Sequence, residues 1–170
     1  MKMSKHIEIE RKYIIKRPNM SLIRKQSGYT ESKIVQIYLA SEYGVTHRVR
    51  KRSFGDSEIY TETKKIRIDS ISSVEEENEI SESEFQILSR NIRPGTRPVI
   101  KTRYTFDYKG VTFEIDVYPA WRRTAIMETE LESREESVEM PDFIEIVREV
   151  TGQHRYSNSS MAHNPSKEPI

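Results

Sequence analysis

The stretch IEIERKYII (Ile7–Ile15) alternates charged and apolar side chains. Successive side chains of a strand point to opposite faces, whereas a helix repeats every 3.6 residues. As a strand, the stretch puts Glu8, Glu10 and Lys12 on one face and Ile7, Ile9 and Tyr13 on the other. It therefore reads as a strand with one apolar face and one ionic face.

The same pattern recurs downstream. Ile34–Leu39 and Val45–Arg52 read as strands, and the turn cluster SFGDS (Ser53–Ser57) leads into a third at Glu58–Ile68. Ser72–Ile80, Val99–Tyr108, Val111–Tyr118 and Ala125–Glu132 follow, with Lys109-Gly110 as a hairpin turn. Helices are expected at Pro18–Gln26 and at Ser81–Arg90, where Ser81 and Glu84 have capping-box spacing. A third is expected at Pro141–Val150, with Phe143, Ile144, Val147 and Val150 on one side. Strands joined by hairpins are antiparallel, and so many close as a barrel or a sandwich.

One face of each strand carries charges of mostly one sign. Arg48, Arg50 and Arg52 share a face; so do Lys65 and Arg67, and Lys101 and Arg103. The acidic faces hold Glu75, Glu77 and Glu79; Glu114 and Asp116; and Glu128, Glu130 and Glu132. Charged faces turned to solvent on an open sheet are the simplest reading of any one strand. Ordinary solvated faces mix signs, however, whereas most of these carry one sign. If the faces point into a barrel, a dry interior is untenable, because each buried ion costs several kcal/mol unless well paired. A wet tunnel with bound cations and a polyanion removes that cost. Carboxylates suit hard ions such as Mg²⁺ or Mn²⁺, and Arg and Lys suit phosphate oxygens.

Composition narrows the classes. Lys and Arg number 28 against 27 Asp and Glu, so no global basic field favours nucleic acid. The chain has no cysteine, which excludes disulfide scaffolds and thiolate metal sites. No apolar run approaches the roughly 20 residues needed to span a bilayer, and residues 1–9 lack a signal-peptide core. A cytoplasmic protein without a membrane partner is expected. The length of 170 residues suits one domain, expected over 1–162 with a flexible tail at 163–170.

The ordered motifs carry a family resemblance. Glu8-Ile-Glu10-Arg-Lys12 is similar to the ExExK signature of the CYTH superfamily, the triphosphate tunnel metalloenzymes. Gln36–Leu39, Arg48–Arg50, Thr63–Lys65, Glu75–Ile80, Lys101–Tyr104, Glu114–Asp116 and Glu128–Glu130 resemble its later landmarks in order. Val150-Thr151 and Tyr156–Ala162 resemble its closing segment. The resemblance implies a mainly β (α+β) fold, an eight-stranded antiparallel β-barrel tunnel with a few peripheral helices. It implies metal held by Glu8, Glu10, Glu128 and Glu130, with Glu75, Glu77, Glu114 and Asp116 as supporting ligands or water-positioning groups. It implies phosphate contacts from Lys12, Arg48, Arg50, Lys65, Lys101 and Arg103, with Arg155 also facing the tunnel. Ser73 stands where the family often has Arg, and Arg67 is a candidate substitute; Ile37 and Met161 also depart, without touching the chemistry.

The expected activity is metal-dependent hydrolysis of a triphosphate, with inorganic tripolyphosphate favoured. A class IV-type adenylyl cyclase, a thiamine triphosphatase and a non-catalytic polyphosphate- or nucleotide-binding module are the alternatives. Monomer and homodimer both stay open. His6, His47, His154 and His163 are too scattered for metal-ligand spacing, and Trp121 reads as a packing residue in a loop or at the rim.

Overall fold

A computed structural model describes residues 4–169; residues 1–3 and 170, the outer limits of the expected domain and tail, lie outside the described residues. Among the described residues nine strands form: β1 (Ser4–Lys16), β2 (Ser27–Tyr38), β3 (Val45–Phe54), β4 (Ser57–Arg67), β5 (Ser72–Ile80), β6 (Val99–Tyr108), β7 (Val111–Val117), β8 (Thr124–Leu131) and β9 (Ile146–Glu149). Neighbours follow the order β5-β4-β3-β2-β6-β7-β8-β1, and β1 pairs back onto β5. Eight antiparallel strands thus close on themselves, which leaves no free edge around the ring.

The long β1 serves as the seam. Residues Ser4–Ile9 pair with β5, and Ile9–Lys16 pair with β8. Beyond Ile9, the edge that β5 has left is taken by β9 at Tyr13–Ile15. This corrects the expected helix at Pro141–Val150. The open edge of β1 offers unpaired backbone groups, and the segment fills them: Lys16 N donates to Glu145 O at 2.9 Å and Val150 N to Lys12 O at 2.8 Å. Leaving such groups unpaired costs more than the local helical pattern returns. The apolar residues also diverge, with Ile144 and Val150 buried in different clusters and Val147 exposed.

Among the described residues three short α-helices lie outside the ring. The first, α1 (Met20–Ile23), is one turn capped by Asn19, shorter than expected. The second, α2 (Glu82–Ser89), opens with the full Ser81/Glu84 capping box. The third is α3 (Asn158–His163), capped by Ser157. None is long and apolar enough to cross a membrane.

Two apolar clusters frame the barrel. The odd-numbered side chains Tyr13, Ile15, Phe113, Ile115, Ala125 and Met127 face outward, and Ile23 and Ile144 bury them with Phe106 and Val117. On β1, β2, β3, β7 and β8 the even-numbered positions turn inward, and on β4, β5 and β6 the odd-numbered ones do. At one end these are apolar: Ile14, Tyr38, Tyr118 and Ile126 pack with Val99, Trp121, Val150, Tyr156, Met161 and Ala162. Each fully buried aliphatic side chain contributes about 1.5–3 kcal/mol. Trp121 is buried at this end, its ring tilted 53° against that of Tyr118, and its Nε1 donates to Ser166 O at 3.1 Å. Glu168 accepts hydrogen bonds from the backbone N–H groups of Arg123 and Thr124. Ser166 and Glu168, in the segment expected to be a flexible tail, are therefore hydrogen-bonded to the loop before β8 and to its first residue.

Candidate active site

Past the apolar end, the inward positions become ionic and line a cavity of about 1820 Å³. Register sets the layers. Arg48 stands opposite Thr63, and Thr63 opposite Glu77; Thr46 stands opposite Lys65, and Lys65 opposite Glu75. Basic β3 and acidic β5 thus flank β4 and reach over it. Arg48 Nη2 donates to Glu75 Oε1 at 2.8 Å, and Arg50 Nη2 to both Glu77 oxygens at 3.0 and 3.1 Å. Thr63 Oγ1 donates to Glu77 Oε2 at 2.8 Å. Lys65 bridges to Glu8 of β1 and lies 3.4 Å from Glu75 Oε2.

The other wall repeats this with β1, β6, β7 and β8. Lys12 Nζ lies 2.8 Å from Glu128 Oε1 and 3.6 Å from Glu10 Oε1. Arg103 forks onto Asp116, with Nε and Nη2 each 2.7 Å from a carboxylate oxygen. The same guanidinium also reaches Glu114, and Glu128 at 3.1 Å. Lys101 Nζ donates to Asp116 Oδ2 at 2.5 Å. Two carboxylate pairs stand directly across neighbouring strands, Glu10 with Glu130 and Glu114 with Glu128. Such like-charge pairs are destabilising unless cations lie close. Arg103 supplies one to the second pair and Lys12 one to Glu10.

The field in the lumen shows in its titrating groups. Burial opposes ionisation of Glu128, but Lys12 and Arg103 outweigh it and hold the carboxyl well below the usual range. Burial likewise works against charged Lys12, and Glu128 and Glu10 more than offset it, raising its pKa. Lys101 goes the other way. Burial and then neighbouring Arg103 lower it to about 8, against the pull of Asp116 and Glu128. Burial and Arg48 lower Arg50 to about 10 despite Glu77.

The structure brings Glu8, Glu10, Lys12, Arg48, Arg50, Lys65, Glu75, Glu77, Lys101, Arg103, Glu114, Glu128 and Glu130 onto one cavity wall system. Asp116 is set apart: it is buried behind Lys101 and Arg103 and does not line the cavity. Arg155 lines it, with its guanidinium 2.6 Å from Tyr156 OH and stacked on that ring. Ser73 is buried with its hydroxyl toward Glu8, and Arg67 lines the cavity. Three further lining or supporting residues had been given no role. Thr63 shares the inward parity of Lys65, which is a readable signal; Arg52, bonded to Ser32, shares that of Arg48; Asn158 sits on α3, where strand parity gives no signal. His154 is bonded to Ser160 and His47 to Glu62.

Glu8, Glu10, Glu128 and Glu130 are hard oxygen donors on two adjacent strands, the chemistry Mg²⁺ and Mn²⁺ require. Among the described residues no three acidic or imidazole groups already converge as a cage. Mg²⁺ is commonly held by one or two carboxylates together with waters and substrate phosphates. The donor set fits that mode, and Glu75 Oε2, which is buried, makes no hydrogen bond and has Lys65 Nζ at 3.4 Å, adds an oxygen to the same lumen.

No family model matches the chain. It is 32% identical over 162 residues to an inorganic triphosphatase of Acetivibrio thermocellus, covering 94% of this chain and 96% of that one. The crystal structure of an inorganic triphosphatase superposes with a TM-score of 0.59 at 25% identity, over 95% of this chain and 97% of the other. A protein from Pyrococcus horikoshii OT3 shares the fold, with a TM-score of 0.55 at 23% identity over 75% and 80% of the two chains. With its closed ionic barrel and this similarity along nearly its whole length, the chain belongs to the CYTH superfamily of triphosphate tunnel metalloenzymes.

Proposed function

We propose that this chain hydrolyses inorganic tripolyphosphate to pyrophosphate and orthophosphate within the tunnel, with Mg²⁺ or Mn²⁺ as cofactor. One observation carries the reading. The lumen pairs a full set of cations with a full set of carboxylates, Lys12 with Glu128, Arg48 with Glu75, Arg50 with Glu77 and Lys65 with Glu8. A site meant only to hold a polyanion gains nothing from carboxylates, which repel phosphate unless metal is present. A site meant for metal alone gains nothing from the cations. Together they suit a metal–triphosphate substrate.

In this reading Glu8, Glu10, Glu128 and Glu130 hold the metal, with Glu114 beside them. An ion held there would polarise the terminal phosphoryl group and offset its charge. Lys12, Arg48, Arg50, Lys65, Lys101 and Arg103 grip the phosphate oxygens and take up charge as the transition state develops. Glu75 and Glu77 position the attacking water and accept its proton. The water oxygen bonds to the terminal phosphorus as the bridging P–O bond breaks, and that bond's electron pair leaves with pyrophosphate. Asp116, enclosed behind two cations, acts by fixing Arg103 and Lys101 rather than by touching metal. The substrate is a small molecule taken from solution, with neither nucleic acid nor membrane as partner, and one domain over 1–162 carries the site as a monomer or homodimer.

Phosphate release from tripolyphosphate, ATP and thiamine triphosphate, each with Mg²⁺, Mn²⁺ or EDTA, tests the proposal. Metal-dependent orthophosphate release fastest on tripolyphosphate is expected. Cyclic AMP and pyrophosphate from ATP would make the protein a cyclase, and tight binding without turnover a binding module.

A further inference from the structure

The lumen also holds a neutral donor that the charged pattern conceals. Asn158, the first residue of α3, lines the cavity at the capped end. Its Oδ1 accepts from Tyr118 OH at 2.9 Å and from Lys101 Nζ at 3.4 Å. An ammonium group only donates, so the atom it meets is the carbonyl oxygen, and this fixes the amide orientation. The –NH₂ end must then point away from both partners. Among the described residues no acceptor meets it, yet it is not among the buried side-chain atoms without a partner. An amide donor that is neither bonded to protein nor sealed from water, on a residue that lines the tunnel, faces the tunnel.

We propose that Asn158 is a further substrate-binding residue, its Nδ2 donating to a phosphate oxygen at the capped end of the triphosphate. This rests on the triphosphatase reading above. The arrangement serves that task physically. Asn158 is held in place by two donors on one side, so little rotamer freedom is lost when a phosphate arrives. Being neutral, it adds a hydrogen bond without deepening the cation crowding that already lowers Lys101 and Arg50. It also ties α3 to the phosphate clamp, so the cap is part of the site and not only a plug.

The substitution Asn158→Asp separates this role from a purely supporting one. Aspartate has the same shape and accepts from Lys101 and Tyr118 at least as well, but it lacks the –NH₂ donor and turns an anion toward phosphate. KM for tripolyphosphate should rise roughly 10- to 100-fold, the range of one hydrogen bond to a charged group. The turnover number should change far less, as expected for a uniform binding contact. The melting temperature should stay within a few degrees of wild type. Asn158→Ala, which removes donor and acceptor alike, should raise KM at least as much. Wild-type KM in Asn158→Asp, with or without a defect in Asn158→Ala, would overturn the proposal, because only the bracing of Lys101 would remain. Titration calorimetry of wild type with Mg²⁺–tripolyphosphate guards the premise: absence of binding there removes the triphosphate reading itself, whereas binding by wild type and equally by Asn158→Asp overturns Asn158 alone.

Discussion

Lys101 and Asp116 form the most enclosed ion pair among the described residues, with Nζ 2.5 Å from Oδ2 and side-chain exposures of 2% and 1%. Burial and Arg103 nonetheless pull Lys101 down to about 8. On the proposed function, the protonated form is the one that holds phosphate. As pH rises through about 8 the free enzyme loses that charge, so kcat/KM for tripolyphosphate should fall on this limb. A pH profile measured at fixed ionic strength checks it. Lys101→Met should remove the limb and lower kcat/KM at pH 7.

Glu128 predicts the acid side of stability. Its carboxyl titrates in the folded chain well below the ordinary 4.5. Its contribution is therefore fully present above about pH 4.5 and is lost as pH falls from there toward the folded value. Glu128→Gln should cost about 3 kcal/mol at pH 7, the scale for leaving a buried partner uncompensated, here Lys12 and Arg103. The gap to wild type should narrow below pH 4.5. Urea unfolding at several pH values measures both.

Glu8→Gln and Glu10→Gln should each lower turnover by roughly 100-fold or more, the scale of losing one electrostatic contact to a transition state. Both should shift the Mg²⁺ requirement to higher concentration while leaving the far-ultraviolet circular dichroism unchanged. Full activity in either would remove it from the metal set.

Ser81→Ala supplies the contrasting case. It breaks the capping box at the start of α2, outside the barrel. It should cost about 1 kcal/mol in urea unfolding, with kcat and KM unaltered.

The strands and their ionic faces were legible because alternation is a local property: Glu8, Glu10 and Lys12 share a face whatever the rest of the chain does. Closure was not, since pairing of Ser4–Ile9 with β5 is long-range and alternation alone also allows a sandwich. The segment after Pro141 failed for a related reason. Its spacing is locally helical, and what decided its form was an open edge on β1, far away in sequence. Parity placed Glu114 and Asp116 on one inward face, but not that two residues along the strand separate a carboxylate on the lumen wall from one sealed behind Arg103. Partnerships such as Lys65 with Glu8, 57 residues apart, depend on register that only the closed ring sets. Asn158 lies on a helix and carries no charge, so neither signal pointed to it.

The most direct test is initial-rate orthophosphate release from tripolyphosphate by the purified chain, with Mg²⁺ or Mn²⁺ and again with EDTA. The ionic tunnel predicts turnover with metal, none with EDTA, and slower turnover of ATP. Equal release in EDTA, or none under any condition, would contradict a metal-dependent triphosphatase.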